Sequence, residues 1–182
     1  ETDIQLDYAK RDHEIVDYDF FELEAIPGFQ LRGPRLDINK SSRYFSCIGA
    51  AQTLGIYIQK PYPVLLSERI SMSGLNLAVG AAGPGFYAER ADILDQVNKS
   101  QLLILQVMAA RGEGTSRFQR IGAVEKFLDS NNGDQVTALG AWTRVKEESG
   151  AQGLEAYLAE VRTNWVDNYR RLLEQITVPV IL

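Results

Sequence analysis

Short apolar runs alternate with helix-length amphipathic stretches through the middle of the chain. Three runs have the length of strands and three stretches have helical spacing, with strands at residues 44–48, 75–79 and 102–108 and helices at 53–59, 61–70 and 86–98. A strand–helix–strand order predicts parallel strands joined by helical crossovers. The expected fold class is therefore α/β, with a parallel sheet between two layers of helices.

A longer amphipathic helix is predicted near the carboxyl end, from about residue 151 to residue 176. Apolar residues recur there at intervals of three or four, which is typical of one helix face. The stripe consists of Leu154, Leu158, Val161, Trp165, Tyr169, Leu172 and Ile176. We expect it to pack on the sheet as core, and a dimer seam is the alternative. Residues 178–182 predict a fourth, buried strand, after which a longer chain continues or the ordered part stops.

The segment 112–150 has a weaker pattern. It predicts one short amphipathic helix, carried by Phe118, Ile121, Val124, Phe127 and Leu128. Residues 131–134 are rich in asparagine and contain a glycine, which predicts a loop. We expect this segment to act as a lid or as a surface for a partner.

The first 43 residues differ from the rest in pattern. Turn signals at Pro27-Gly28 and Gly33-Pro34 flank one short candidate strand. The predicted organisation is an N-terminal arm, residues 1–43, packed on one α/β domain, residues 44–182. A truncation of this domain at its C-terminus is left open.

Charge and composition exclude several classes of protein. The chain has 182 residues, a net charge of -5 and 45% hydrophobic residues, the balance of a globular domain. The acidic excess argues against nucleic acid and anionic membranes as partners. No apolar run is long enough for a membrane span. Cys47 is the only cysteine, so an internal disulfide is excluded and a reducing, cytoplasmic location is expected.

The sequence predicts no metal ion and no cofactor. His13 is the only histidine, and a zinc site needs further nitrogen or sulfur ligands. The glycine-rich residues 80–85 lack the spacing of a dinucleotide fingerprint and the lysine of a P-loop. Cys47 lies inside a predicted strand, where a thiol is normally inert. The acidic side chains of the arm fit a solvated face better than a cation site: Asp12, Glu14, Asp17 and Asp19.

Three stretches in the middle of the chain resemble the first two sequence blocks of SGNH (GDSL-like) hydrolases. They are residues 48–55 (IGAAQTLG), 61–66 (PYPVLL) and 76–84 (NLAVGAAGP). The resemblance implies an SGNH-hydrolase-like, flavodoxin-like fold with three layers. In the usual enzymes of that family, a serine after the first strand attacks a carbonyl with the help of histidine and aspartate.

The chain departs from that pattern at the positions that would carry the chemistry. The nucleophile position falls on Ala51 and the preceding aspartate position on Ala50. The asparagine of the third block would fall about at Ala110, and the histidine would lie beyond Leu182. Ordinary serine-ester hydrolysis by this chain is therefore not expected.

A second resemblance, which covers most of residues 15–112, is to an uncharacterised bacterial family. Its pattern is matched by Val16-Asp17-Tyr18, by the Arg32-Gly33-Pro34-Arg35 motif, by residues 49–53 (GAAQT) and by the turn after Asn76. Some relatives occur in polysaccharide-related contexts, which the resemblance carries over as an expectation. The loop is also similar to a Gly-Asn-Cys-Gln loop of capsule-biosynthesis acyltransferase-type proteins, with Ala51 in place of the cysteine.

The side chains left at the predicted sheet edge suit a ligand better than a nucleophilic reaction. In open α/β sheets, ligands bind beyond the carboxyl ends of the strands. Gln52 can donate and accept hydrogen bonds, and Arg111 could clamp a carboxylate, phosphate or sulfate. The alternative is that Gln52 caps its loop and Arg111 pairs with a nearby acid. The predicted ligand-binding residues are Gly49, Ala51, Gln52, Asn76, Gly80, Ala81 and Arg111.

The sequence thus predicts an SGNH-like domain without the usual serine. We expect it to bind or modify an acyl- or sugar-type ligand in bacterial polysaccharide metabolism, and if it is an enzyme, to be an atypical transferase or esterase. The alternative is a non-catalytic binding or assembly module that reuses the fold. The expected partner is a small molecule or sugar, and a homo-oligomer is left open.

Overall fold

The computed structural model describes residues 15–36, 43–122 and 125–182. His13, Asp12 and Glu14 of the predicted arm, and Val124 of the predicted short helix, lie outside these residues. Among the helices described, none combines the length and the apolar character needed to cross a membrane.

The chain folds as two compact units. Unit 1 comprises Glu1–Gly80, Arg90–Val107 and Gln175–Leu182, and unit 2 comprises Ala81–Glu89 and Met108–Glu174. The backbone therefore leaves unit 1 and returns to it twice. The division into an arm and one domain at residue 43 stays a prediction.

Nine strands and five α-helices follow one another along the described chain. They are β1 (Phe21–Leu23), β2 (Ile26–Leu31), β3 (Tyr44–Ile48), α1 (Ala51–Leu54), α2 (Tyr62–Ile70), β4 (Ser73–Asn76), α3 (Pro84–Ala88), α4 (Ala91–Asn98), β5 (Leu103–Leu105), β6 (Phe118–Arg120), β7 (Lys126–Asp129), β8 (Gln135–Thr137), α5 (Ala138–Glu174) and β9 (Val180–Ile181).

A four-stranded parallel sheet forms the centre of unit 1, in the order β4-β3-β5-β9. Every residue of β3 is buried, as expected for an inner strand covered on both faces. The α2 helix packs on β4 and α4 packs on β3. The prediction of an α/β protein with a parallel sheet flanked by helices is confirmed at this level, whereas the other two sheets are antiparallel.

All three strands predicted for the middle of the chain are present, although the third is Leu103–Leu105 instead of 102–108. Residues 44–48 form a strand with the predicted bounds. The second strand begins at Ser73, and the amides of Leu77 and Val79 still donate to the carbonyls of Cys47 and Gly49, at 2.9 and 3.1 Å. The ladder between the first two strands therefore extends through the whole predicted run.

Three predictions about local structure in unit 1 need correction. The helix expected at 53–59 is a single turn, α1, because the chain leaves it through Gly55 in a left-handed conformation. The helix expected at 86–98 is two helices, α3 and α4, one in each unit. The last strand was expected to be buried, but β9 is an exposed edge strand that pairs only with β5.

Unit 2 is built from an antiparallel sheet, β6-β7-β8, and the long helix α5. The helix is interrupted at Gly150, where a φ of 66° breaks the helical backbone. The stripe predicted on its second half contributes to the core: Val161 is buried, and Leu154 and Leu158 pack against the same cluster. Phe118 and Phe127 of the sheet and Tyr157 of the helix complete that cluster's large side chains.

The short helix predicted from Phe118 to Leu128 is wrong. Phe118–Arg120 and Lys126–Asp129 form β6 and β7, two antiparallel strands that pair with each other. Phe127 is buried while Leu128 is 36% exposed, so the burial alternates as on a strand. The helical spacing arose because inward residues of two adjacent strands were read as one face. The loop predicted at 131–134 is confirmed as the turn between β7 and β8.

A buried carboxylate, Asp129, joins this sheet to the first half of α5. Its side chain is completely buried. Both of its oxygens accept hydrogen bonds from Arg117, at 3.0 and 2.9 Å, and Arg144 donates to one of them at 2.7 Å. The amide of Asn131 also donates to it, at 3.1 Å. The hydrogen bonds from Arg117 and then Arg144 hold the pKa of Asp129 well below its usual value.

We expect Asp129→Asn to lower the free energy of unfolding of unit 2 by about 2–3 kcal/mol, because two partly buried guanidinium groups lose their shared anion. Urea unfolding followed by tryptophan fluorescence measures this, since both tryptophans, Trp142 and Trp165, belong to α5. The depressed pKa means that the contribution is present above pH 3.8 and is lost as the pH falls below it.

The matched control is Asp134→Asn, which also removes one negative charge from beside Arg144. Asp134 binds Arg144 at 3.0 Å but is 54% exposed. Its loss is expected to cost less than about 1 kcal/mol. Equal effects of the two variants would contradict the role given to Asp129.

Candidate functional site

The loop after β3 is closed by a side chain that the sequence did not single out, Gln106. Its Oε1 accepts hydrogen bonds from the amides of Ala50 and Thr53, at 3.0 and 3.1 Å, and from the Thr53 hydroxyl at 2.7 Å. Its Nε2 donates to Oε1 of Gln52 at 2.8 Å. The amides of Ala50 and Thr53 therefore already donate to an oxygen of the protein.

The other predicted residues of unit 1 lie around this loop in structural positions. A Cβ on Gly49 would collide with Gln106 and Thr53, so the close approach of that side chain depends on the glycine. Asn76 is buried, donates to the carbonyl of Thr53 at 2.8 Å and accepts from the amide of Ala78 at 3.1 Å. Ala51 begins α1, and Gly80 ends the segment of unit 1 that contains β4.

Ala81 and Arg111 belong to unit 2. Ala81 has a φ of 62°, and its carbonyl oxygen lies 3.0 Å from the place a Cβ on Gly112 would take. Arg111 is more than half exposed and forms an ion pair with Glu125. Whether any of the seven predicted residues binds a ligand stays a prediction.

Cys47 is completely buried in β3. Burial raises the pKa of its thiol to about 12, which outweighs the opposite effect of a hydrogen bond with Tyr62. A thiol in this state is a poor nucleophile because little thiolate exists at neutral pH.

Unit 2 contains a polar cleft with a volume of about 400 Å³. Asparagine and acidic side chains of α5 line one part of it, and the residues from Glu113 to Arg120 line another. The lining residues are Glu89, Glu113, Gly114, Thr115, Gln119, Arg120, Asn164, Asp167, Asn168 and Arg171. Two arginines and three acids give this cleft nearly balanced formal charges.

Glu113 is the buried acid of this cleft, with a relative exposure of 1%. Its Oε1 accepts from the amide of Gly85 at 3.1 Å, and its Oε2 accepts from Nδ2 of Asn168 at 2.6 Å. A Cβ on Gly83 or Gly85 would collide with this carboxylate, so both glycines are needed for the loop to pass so close. The carboxyl group thus joins the start of α3 to the second half of α5.

Burial raises the pKa of Glu113, and this effect exceeds the lowering caused by the hydrogen bonds from Gly85 and Asn168. Nearby Arg120, which also pairs with Glu89, lowers the pKa by a smaller amount. A carboxyl group with a raised pKa can hold a proton and donate it as well as accept hydrogen bonds. Such a group in a cleft is a typical feature of functional sites.

The neighbouring amide side chains leave polar groups for a ligand. Asn164 donates from Nδ2 to the carbonyl of Gly114 at 2.9 Å, and within the described chain its Oδ1 accepts no hydrogen bond. Gln119 lies at the exposed rim, and the structure as described gives its side-chain amide no partner. Asn168 is held from its other side by Arg171, which donates to Oδ1 at 3.0 Å.

Sequence reasoning missed Glu113 and all of its partners, although it named Arg111 two positions earlier. The available signal was the Gly112-Glu113-Gly114 triplet, in which glycines on both sides of an acid allow close backbone approach. The described chain contains no group of three or more histidine, cysteine, aspartate or glutamate residues placed to hold a metal ion.

Comparison with known proteins identifies a family for the chain. No curated protein matches it. A family described as a domain of unknown function (DUF6473) matches residues 6–121, a range that includes the Arg32-Gly33-Pro34-Arg35 motif and Glu113. Because the match spans more than half of its length, the chain belongs to the DUF6473 family.

Proposed function

We propose that this protein binds a neutral, hydroxyl-rich small molecule such as a saccharide in the polar cleft of unit 2. The observation that carries the proposal is Glu113, a buried carboxyl group with a raised pKa at the surface of the cleft. A protonated carboxyl donates one hydrogen bond and accepts others, which suits a ligand hydroxyl that does the same.

The remaining lining supports a polar, uncharged ligand over an acyl chain. Asn164, Gln119 and Thr115 supply amide and hydroxyl groups, and few apolar side chains contribute to the cleft. The charges of Arg120 and Glu89 are paired with each other, which leaves no strong field of one sign. Of the two ligand types expected from the sequence, the sugar type therefore fits this cleft better.

The same cleft offers a reaction a proton donor, but within its described residues no hydroxyl group is activated as a nucleophile. Glu113 could exchange a proton with a bound hydroxyl, as a general acid or base does. Within the described residues of the cleft, the hydroxyl of Thr115 accepts a hydrogen bond from the amide of Phe118 at 3.0 Å, and no base activates it. We therefore propose binding as the function, and the SGNH-like ancestry and the role in polysaccharide metabolism remain part of this proposal.

Glu113→Gln is expected to weaken saccharide binding at least about tenfold, because its NH2 group replaces an oxygen that accepts from Gly85 or Asn168, and an unsatisfied buried donor costs about 1–3 kcal/mol. Neutral mono- and disaccharides are titrated while tryptophan fluorescence and saturation-transfer NMR are recorded. Glu155→Gln is the matched control, since Glu155 is an exposed residue of α5 outside the cleft.

A second variant tests the proposal by the same titration if the Glu113→Gln protein fails to fold. Asn164→Ala keeps Glu113 and removes the Oδ1 that faces the cleft, and we expect it to weaken binding as well. If no saccharide binds the wild type, or if a folded Glu113→Gln protein binds as the wild type does, the proposal is wrong.

The raised pKa of Glu113 predicts a pH effect on stability. A carboxyl group whose pKa is raised on folding contributes stability fully below its unfolded value, near 4.5, and loses it as the pH rises through the folded pKa. We expect the free energy of unfolding of the wild type to fall relative to that of Glu113→Gln as the pH rises above about 4.5. Urea unfolding followed by tryptophan fluorescence measures both; a constant difference would show that Glu113 titrates normally.

One observation favours the second candidate, a non-catalytic module that reuses the fold. In unit 1, the amides of Ala50 and Thr53 are bound by Gln106, and the nucleophile position is Ala51. A loop whose donors are satisfied internally has a structural role that needs no substrate. In this reading, the edge of the parallel sheet is scaffold and the binding surfaces lie elsewhere.

The Gln106→Ala variant tests whether the loop after β3 is structural or binds an oxygen atom of a ligand. We expect amide hydrogen exchange at Ala50 and Thr53 to become at least about tenfold faster, because two buried donors lose their acceptor. Gln52→Ala removes only an exposed contact of the same glutamine and is expected to change stability by less than about 0.5 kcal/mol. Unchanged protection in Gln106→Ala would mean that another group satisfies these amides.

A further inference from the structure

Arg32, the first residue of the Arg32-Gly33-Pro34-Arg35 motif, is an arginine with an exposure of only 3%. It follows β2 in unit 1, and its backbone pairs with that of Asn76. Its guanidinium lies 4.6 Å from the centre of the Tyr18 ring. Arginine is seldom buried to this extent without an acidic partner.

The partners of Arg32 are neutral. Its Nη1 donates to the carbonyl of Asp17 at 3.0 Å, and its Nη2 donates to the carbonyls of Ile58 and Gln59 at 2.9 and 3.1 Å. The structure, as far as it is described, gives its Nε–H no acceptor and its charge no ion pair. A buried donor without a partner destabilises the folded state, and more so when it belongs to a charged group.

The surroundings of Arg32 compensate its positive charge only in part. Burial lowers the pKa of this arginine, and the opposing effects of Tyr18, Asp17 and Asp19 do not restore it. Those two carboxylates are therefore near enough to act through space, but neither forms an ion pair with it. An anion beside the Nε would supply both the missing acceptor and the missing negative charge.

Arg32 lines a cavity of about 220 Å³ inside unit 1. Arg35, Ser67 and Ser73 also line it, and apolar residues form part of the wall, among them Leu36, Pro63 and Val64. The one acid in the lining, Glu68, is bound by Lys60 at 2.8 Å. The cavity therefore carries a surplus of positive charge and several hydrogen-bond donors.

We propose that this cavity binds the phosphoryl group of a small phosphate or phosphate ester. One N–H of Arg32, the guanidinium fork of Arg35 and two serine hydroxyls supply more donors than the two oxygens of a carboxylate need. They match a group with three terminal oxygens. The site lies in unit 1 and is independent of the Glu113 cleft, so either proposal can fail without the other.

The test is titration of the full chain with inorganic phosphate and with glycerol 3-phosphate, against sodium chloride and sodium acetate at matched ionic strength. Thermal unfolding and isothermal calorimetry give affinity, and the arginine Nε–H resonances in NMR give the place of binding. We expect saturable binding of phosphate and a shift of the Arg32 Nε–H signal, which is assigned by its loss in Arg32→Lys. Tighter binding of glycerol 3-phosphate identifies an ester as the ligand, and equal or weaker binding identifies the free ion.

Arg35→Gln is the decisive variant because Arg35 is exposed and its replacement leaves the buried contacts of Arg32 in place. We expect it to raise the Kd for phosphate at least tenfold. Arg69→Gln, the matched control, removes the same charge from an exposed position of α2 outside the cavity and is expected to bind as the wild type does.

Three results would overturn the proposal. The first is equal phosphate affinity in Arg35→Gln and Arg69→Gln. The second is stabilisation by phosphate no greater than by chloride. The third is acetate binding as tightly as phosphate, which would indicate a carboxylate site. If Arg32→Lys fails to fold, the Arg35→Gln comparison still decides the outcome.

Discussion

Backbone N–H groups in loops need acceptors, and in both units single polar side chains supply them. Gln106 holds the loop after β3, and Asp129 holds the turn after β7. Glu113 holds the start of α3 through the amide of Gly85. Gln106 accepts from two backbone amides, and Asp129 and Glu113 accept from one each, so each side chain fixes the backbone beside it.

The nature of these side chains separates scaffold from candidate site. An amide such as that of Gln106 has fixed donors and acceptors, and here it is matched on both sides by neighbours. A carboxyl or guanidinium group also carries charge, which burial disfavours unless something nearby compensates it. Glu113 and Arg32 are buried beside cavities with that compensation incomplete. These two positions are therefore where an added molecule gains most from binding.

The sequence predicted those parts of the fold that depend on local pattern. Residues 44–48 are apolar except for Ser46, and a short run of this kind is typical of a strand buried on both faces. The short helix around Phe118 failed because Phe118 and Phe127 lie on two strands whose combined spacing imitates one helix face. The candidate site could not be predicted from the sequence for a different reason. Glu113 contacts Asn168, which lies 55 positions later in the chain, and no local pattern encodes that contact.

The pairing of β9 with β5 has a consequence for how this protein aggregates when it partly unfolds. Met108–Glu174, the chain between these strands, belongs entirely to unit 2. When that unit unfolds, the loop that separates the two strands becomes a long flexible coil, and closing it costs more entropy. Leu103–Leu105 would then become an apolar strand with open hydrogen-bonding groups along one edge. Unfolding of unit 2 is therefore expected to cause self-association of unit 1, through β-strand addition between molecules.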